Sequence, residues 1–174
     1  MSPMATEAGT GEAASKELPT PVQRVQQILT GKGHAHLPRW LEVAARTSQE
    51  AADALGIQVG QVAKSVIFRR KADGMAVLVV ASGDRRVDEK RVTALVGPVG
   101  RADPDFVKER TGFSIGGVSP VGHVHEPVTL IDRELFRFDI IWAAAGHPHA
   151  VFQLRPQDLE RLTGAPVADV VVSA

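Results

Sequence analysis

Cysteine is missing from this chain, and its absence removes several kinds of chemistry. Without cysteine there can be no disulfide, no thiolate nucleophile and no cysteine-bound zinc. No apolar run approaches the ~20 residues that a membrane-spanning helix needs. The first residues also lack the basic start and apolar core of a signal peptide. These absences favour a protein of the cytoplasm.

Net charge is lacking as well, because 20 acidic residues balance 20 basic ones. A neutral molecule does not attract nucleic acid as a whole. The charge is unevenly spread, however, since the segment 64–91 holds eight basic residues against four acidic ones. Such an excess could hold a few phosphates, or it could be the solvated edge of a hairpin, where lysine and arginine are common.

The composition that remains is typical of one globular domain. The chain has 174 residues, of which 44% are hydrophobic and 23% charged, so it can bury a sizeable core. Residues 1–20 are mostly small or polar and predict a disordered tail. The segment 21–174 is then the folded domain.

Helix signals recur along this domain. The segment 21–29 predicts a first helix capped by Thr20. Thr47 and Glu50 form a capping box that opens a second helix, which Gly56 ends. A turn of helix over 58–63 and helices over 87–95, 104–111 and about 155–162 complete the set.

Strand signals are interleaved with these helices. Apolar runs over 64–70 and 75–82 are separated by Asp73 and Gly74, a pair typical of hairpin turns. Further strands are predicted over 127–132, 140–145, 150–154 and 167–172. Since the order shows no strict βαβ alternation, the sequence predicts a single α+β domain with a mixed sheet.

The most informative segment is the glycine-rich loop over 113–123. Three glycines and Pro120 fall within seven positions. Glycine lets a ligand approach the main chain closely, while Pro120 stiffens the loop and favours an extended Ser119. We expect N–H groups such as those of Gly117 and Val118 to face a phosphate, a carbonyl or an oxyanion. An ordinary tight connection is the alternative.

Two further segments accompany this loop. Lys64 starts an otherwise apolar strand, and Gly146 and His149 belong to a turn that precedes a helix start at Pro156. In this order the three segments resemble the YbaK-like family, which comprises the editing domains associated with prolyl-tRNA synthetase and their free-standing relatives. The resemblance runs from about residue 21 to about residue 172. It implies a curved, partly barrel-like sheet surrounded by helices.

The resemblance also implies roles for individual residues. Lys64 aligns with a lysine that the family needs for deacylation, although a lysine at a strand edge commonly just reaches into solvent. The loop glycines align with those whose backbone lies against the aminoacyl ester. The site residues implied are Lys64, Gly116 and Gly117 as catalytic and Ser119, Pro120, Gly146, His149, Phe68 and Ile115 as substrate-binding, with Val66, Phe113 and Trp142 as further pocket walls.

Histidines and tryptophans allow other interpretations. We expect the rings of His147 and His149 to point apart, and no acidic cluster with ligand spacing accompanies them, so neither a metal nor a cofactor is predicted. His149 either borders the pocket or lies on the surface. Trp40 and Trp142 are interpreted as packing residues rather than platforms for bases. Ser119 lacks the setting of a nucleophile elbow, so no Ser-His-Asp triad is predicted.

The leading hypothesis is a trans-acting aminoacyl-tRNA deacylase that hydrolyses the ester of mischarged tRNA, with tRNA for proline favoured. Synthetases reject small or isosteric amino acids poorly by binding alone, so a second hydrolytic site is needed. The family implies a substrate-assisted attack by water, in which a ribose hydroxyl relays the proton. The expected partners are the acylated 3′-terminal adenosine of tRNA and prolyl-tRNA synthetase. Two alternatives stay open: a non-catalytic module that binds aminoacyl-tRNA ends, and a small-molecule ester hydrolase.

Overall fold

The computed structural model describes residues 18–173, so most of the predicted tail lies outside the described residues. Five α-helices occur in the described part: α1 (Thr20–Gly31), α2 (Ser48–Leu55), α3 (Glu89–Val96), α4 (Pro104–Thr111) and α5 (Pro156–Thr163). Its eight strands are β1 (Arg39–Trp40), β2 (Val62–Arg70), β3 (Ala76–Ser82), β4 (Val99–Arg101), β5 (Val128–Asp132), β6 (Ile141–His147), β7 (Ala150–Leu154) and β8 (Val167–Ala168). Two 3₁₀ turns span Val59–Gln61 and Arg133–Arg137.

All eight strands join one sheet in the order β1-β7-β6-β2-β3-β5-β8, with β4 also beside β2. The β2–β3 hairpin is antiparallel and turns at Gly74, whose φ of +72° suits glycine. The β6–β7, β1–β7 and β2–β4 pairs are antiparallel as well. The β2–β6, β3–β5 and β5–β8 pairs are parallel. The predicted α+β fold with a mixed sheet is therefore confirmed.

Helices cover both faces of this sheet. Strand β3 is buried at every residue, which places it at the centre of the fold. On one face α1 packs through Val22, Val25 and Leu29. On the other face α3 packs through Val92. Helix α2 packs through Ala51 and Ala52 in a separate, smaller cluster that includes Val62 of β2 and Val151 of β7.

Local capping chemistry explains where the helices begin. The predicted capping box is confirmed, because Thr47 accepts a hydrogen bond from the N–H of Glu50 while the Glu50 carboxylate accepts one from Thr47. Asp132 also caps as expected, since its carboxylate accepts from the N–H of Glu134. Thr20, however, is the first helical residue of α1 and not its cap, because Pro19 takes the cap position.

Several boundaries and short strands differ from the sequence predictions. The helix predicted over 87–95 begins later, because Asp88 is its cap and Val87 instead bridges to Val171. The last strand stops at Ala168 and does not continue to residue 172. Strands β1 and β4 were not predicted, since two or three residues are too few to show a period.

Part of β2 has no strand partner on one of its two sides. On the side toward β6, β2 pairs only through Val62 and Ala63, and on that same side it pairs with β4 only from Phe68 onward. The stretch 64–67, called here the open edge of β2, has no strand partner on that side. The sheet therefore parts at this point.

Candidate active site

A cavity of about 340 Å³ lies at the open edge of β2. Helix α2 lies on one side of it, and the glycine-rich loop and the turn between β6 and β7 lie on the other. Its walls come from both faces of the sheet, because the cavity occupies the gap where β2 and β6 part.

Lys64 lines this cavity and its ammonium is held in place. The Nζ atom donates a hydrogen bond to the carbonyl oxygen of Arg85 at 2.5 Å. Burial lowers the pKa of Lys64 below its ordinary value of 10.5, and the carboxylate of Asp84 partly opposes that shift. Asp84 is itself paired with Arg85 and Arg137. The lysine is thus a partly desolvated cation at a fixed point, which suits contact with a phosphate or an ester oxygen.

Ser65, the next residue, adds polar groups that the sequence analysis did not single out. Arg70 donates its N–H to Met75 across the hairpin, and Val62 accepts from Gly83. Since hydrogen-bonding direction alternates along a strand, the odd-numbered residues of β2 direct their main-chain groups toward the opposite edge. Ser65 therefore presents its N–H and C=O to the open edge, and its buried Oγ has no hydrogen-bond partner among the described residues. Buried polar atoms without a partner are rare and call for an explanation.

The glycine-rich loop reaches the cavity through Ile115, Gly116 and Val118. The N–H of Gly117 is not available to a ligand, because it donates to the carbonyl of Ser114 at 3.0 Å. No hydrogen bond within residues 18–173 engages the N–H of Gly116 or of Val118. The N–H groups of Gly116 and Val118 are thus available to a ligand, whereas the N–H of Gly117 is used within the turn.

Gly117 has a different importance, since it sets how closely the loop approaches β6. A Cβ atom at this position would lie 2.9 Å from both the N and the Cα of His147. Only glycine allows this contact without displacement of one of the two backbones. Gly116 adopts a φ of +93°, which also favours glycine.

Five of the six predicted substrate-binding residues do not line the cavity, and Ser119, Pro120 and Gly146 are three of them. Ser119 is fully buried and its Oγ accepts a hydrogen bond from the N–H of Val121. Pro120 lies at a separate surface depression beside α5. Gly146 packs against the start of α1, where a Cβ atom would lie 2.9 Å from the carbonyl of Pro21. Each of them supports the loop or the strand end without facing the cavity.

His147 lines the cavity, whereas His149, the histidine favoured by the sequence, does not. The expectation that their rings point apart is wrong, because the ring centroids are 5.6 Å apart. Residues two apart in an extended segment share a side, and here a two-residue turn joins His147 to Ala150. A bulge between Ala144 and His147, where Gly146 has a φ of +102°, also shifts the alternation of β6.

The environment of His147 fixes its chemistry. Burial lowers its pKa below the ordinary value of 6.5, and the nearby His149 and Arg46 lower it further. The N–H of His149 donates to Nδ1 of His147 at 3.1 Å. Neutral His147 therefore carries its proton on Nε2, since Nδ1 acts as an acceptor.

Among the predicted pocket walls, Val66, Ile115 and Trp142 line the cavity. Ile115 is 57% exposed, which places it at the entrance. Phe68 instead packs on the α3 side of the sheet, and Phe113 is fully buried in the core on the α1 side. Val66 lies on the same face of β2 as Phe68, so Phe68 is excluded by its position along the strand, because the cavity does not extend beyond Ile67.

The basic segment 64–91 is partly neutralised by neighbouring acids. Arg70 pairs with Asp73 at 2.8 Å and Arg91 with Asp88 at 3.6 Å. Arg85 pairs with Asp84 and with Glu134, both at 3.2 Å. Lys64 is the basic residue of this segment that reaches the cavity.

A model of the aminoacyl-tRNA editing domain matches residues 42–162, which includes every element that lines the cavity. The chain belongs to the aminoacyl-tRNA editing domain family. This assignment confirms the resemblance on which the sequence analysis relied. Residues 18–173 contain no cluster of three side chains able to hold a metal, and none of their helices is long and apolar enough to span a membrane.

Three similar proteins illustrate the family. "Uncharacterized protein YwhH" of Bacillus subtilis is 34% identical over 127 residues, which are 72% of this chain and 80% of that protein. A protein of Enterococcus faecalis named "Putative Cys-tRNA(Pro)/Cys-tRNA(Cys) deacylase EbsC" is 25% identical over 126 residues, or 71% of this chain and 76% of that one. A solved structure described as "a putative trans-editing enzyme for prolyl tRNA synthetase" has a TM-score of 0.83 and 41% identity, and the match covers 90% of this chain and 99% of that chain.

Proposed function

We propose that this protein is a trans-acting aminoacyl-tRNA deacylase that hydrolyses the ester of mischarged tRNA, with tRNA for proline as its main target. The observation that carries the proposal is the cavity at the open edge of β2, where Lys64, Ser65 and the glycine-rich loop surround one space. Membership of an editing family supports the reaction class. The description of the 41% identical neighbour supports action in trans beside prolyl-tRNA synthetase, and therefore in the cytoplasm.

The polar groups of the cavity suit hydrolysis of an activated ester. In this scheme the N–H groups of Gly116 and Val118 donate to the ester carbonyl oxygen as negative charge develops on it. The Lys64 ammonium holds the acylated nucleotide by a phosphate or ester oxygen. A water molecule attacks the carbonyl carbon, the bond from that carbon to the ribose oxygen breaks, and the neighbouring ribose hydroxyl relays the water's proton to the leaving oxygen.

No side chain has to form a covalent bond in this reaction. Ser119 is buried with its hydroxyl turned to the main chain, so it cannot be a nucleophile in the cavity. The protein instead positions the ester and excludes bulk water, which can supply a large share of a rate enhancement. The substrate-assisted route is consistent with this arrangement.

The test is deacylation of a panel of charged tRNAs, including Ala-, Cys-, Ser-, Thr- and Pro-tRNA, at fixed salt concentration. We expect release of one or a few non-cognate amino acids. Lys64→Ala should lower kcat/KM by about 10- to 100-fold, because a hydrogen bond to a charged group contributes about 1.5–3 kcal/mol. Lys90→Ala is the matched control, because Lys90 is exposed on α3 and does not line the cavity.

Other outcomes separate the alternatives. Binding of tRNA without release from any member of the panel would leave a non-catalytic binding module. Turnover of simple amino acid esters with no preference for tRNA would leave a small-molecule hydrolase. Equal effects of Lys64→Ala and Lys90→Ala would remove Lys64 from the mechanism.

A further inference from the structure

Trp40 is stacked on histidines at the back of the cavity and is unusually exposed for its size. Its ring lies 4.9 Å from that of His147 with an interplanar angle of 30°, and 5.1 Å from that of His149 with an angle of 7°. The indole is nevertheless 44% exposed. The interpretation of Trp40 as an ordinary packing residue therefore accounts for only part of its surface.

The three distances show which part of the indole is covered. The centroids of His147 and His149 are only 5.6 Å apart. Two rings stacked on opposite faces of an indole at these distances would be separated by nearly the sum of both spacings. Both histidines therefore lie on the same face, and no other aromatic ring of residues 18–173 stacks on Trp40. Since the histidines cover one face, the exposed 44% of the side chain lies on the opposite face, called here the open face, and on the ring edges.

The position of this open face relative to the cavity is fixed. His147 lines the cavity on one side and stacks on Trp40 on the other. The backbone also locks the group together, because Leu41 donates its N–H to the carbonyl of His149 and Ala45 donates to that of Pro148. Trp40 and the two histidines on which it stacks, called here the platform, are thus held together by the backbone. The Trp40 ring lies one ring beyond the cavity, behind His147.

The charge around the platform is positive. Arg39 and Arg46 are exposed on either side of Trp40 in the chain, and neither forms an ion pair within the described residues. Glu42 is the one acidic residue of the segment 39–46. The Arg39 guanidinium lies over the Trp142 ring, 5.8 Å from its centroid, and Arg46 lines the cavity, so both charges lie at the cavity next to the indole. An exposed aromatic face close to such groups suits a single-stranded nucleic acid, which offers both a base to stack and a phosphate to neutralise.

We propose that the open face of Trp40 stacks a nucleobase of the single-stranded 3′ end of tRNA while the acylated ribose occupies the cavity. This inference rests on the proposed function and names a binding subsite for the same substrate. The histidines support the indole from behind, and the base completes the stack from the solvent side. Sequence tolerance is expected, since every base has a face that can stack.

A fluorescence titration tests the platform without any turnover. The chain has two tryptophans, so Trp142→Phe leaves Trp40 as its only tryptophan. The probe is the trinucleotide cytidylyl-cytidylyl-adenosine without an attached amino acid. It is added to the Trp142→Phe variant after the thermal unfolding temperature of that variant has been shown to equal that of the wild type. Quenching of the Trp40 emission that saturates with the trinucleotide supports the stack. Unchanged emission at concentrations that protect the protein from thermal unfolding overturns it.

A kinetic comparison provides the second arm. We expect Trp40→Leu to raise KM for charged tRNA by about 5- to 100-fold with little change in kcat, because base stacking contributes about 1–3 kcal/mol per base. Trp40→Phe should restore most of the loss, since it keeps an aromatic face. Leu37→Ala is the matched control, because Leu37 is equally exposed at 48% and lies three residues earlier.

The two proposals fail in different ways. Hydrolysis of charged tRNA with equal KM for wild type and Trp40→Leu would overturn the platform and leave the deacylase intact. Quenching of Trp40 by the trinucleotide without hydrolysis of any tRNA would overturn the deacylase and leave the platform. An equal rise in KM for a simple amino acid ester, which has no base, would also overturn the platform.

Discussion

The two walls of the cavity are built from different groups. The polar wall consists of Lys64, Ser65, His147 and the main chain of Gly116 and Val118. The apolar wall consists of Ala51 and Leu55 of α2 together with Val62, Trp142 and Val151 of the sheet. Hydrogen bonds fix the polar wall, whereas packing between side chains fixes the apolar wall.

This difference separates two tasks. In the proposed reaction, groups that donate hydrogen bonds act on the ester and the nucleotide, which are common to all charged tRNAs. Apolar side chains can respond only to the size and shape of the amino acid. We therefore expect changes in the polar wall to alter rate for every substrate, and changes in the apolar wall to alter the order of preference.

The largest effect is expected from moving the polar wall. Gly117→Ala would place a Cβ atom 2.9 Å from the backbone of His147, so the loop and β6 must separate. A displacement of about 1 Å at a reacting centre can cost about 10²-fold in rate. We expect that loss for every charged tRNA hydrolysed, measured as kcat/KM. Gly31→Ala is the control, because a Cβ atom there would meet nothing within 4 Å. Near-normal activity of Gly117→Ala would mean that the loop does not position the donors.

A smaller, selective effect is expected from the apolar wall. Ala51→Leu narrows the cavity from the α2 side. The kcat/KM for tRNAs charged with larger amino acids should therefore fall, relative to the value for smaller ones, by about 10-fold or more. Ala54→Leu adds the same side chain to the exposed face of the same helix and should change nothing. The measurement is the ratio of kcat/KM values across the panel. A uniform loss over all amino acids would contradict the division between the walls.

The smallest effect concerns pH. The pKa of His147 is lowered, so its neutral form prevails at pH 7 and is lost only as pH falls below the ordinary value of 6.5. Protonation places a charge near Arg46 and removes the acceptor of the His149 N–H. We expect initial deacylation rates to be level at neutral pH and to decline only below 6.5. His147→Gln should flatten that decline and His125→Gln, at an exposed site, should not. An acid decline that persists in His147→Gln would assign it to another group.

The polar wall was predictable from the sequence in part. Lys64 and the glycine-rich loop were identified because a lone lysine in an apolar strand and glycines beside a proline are local signals. Ser65 gave no such signal, because its importance comes from the early parting of β2 and β6, a property of strand pairing between distant segments. Gly117 also could not be assigned from the sequence, because its N–H donates to the carbonyl of Ser114 within the turn and that bond depends on the folded loop.

The histidine turn shows a second limit. His147 and not His149 lines the cavity, and a bulge just before His147 shifts the alternation of β6. Gly146 is a local signal of that bulge, but a glycine inside an apolar strand indicates one only weakly. Strand β1 is two residues long, so the position of Trp40 depends on its pairing with β7 rather than on its own sequence. The helices and the central hairpin, in contrast, followed from capping boxes, turn residues and apolar runs, which act over a few residues.

The pairing of β2 with β6 joins Val62 to Trp142, which lie 80 positions apart in the chain. Contacts between such distant positions form only after a large loop has closed, and they make folding slower than local contacts do. The gap that becomes the cavity exists only once both strands are in place. A partly unfolded chain therefore contains all the residues that line the cavity but no cavity, so binding of a ligand there would report completion of the fold.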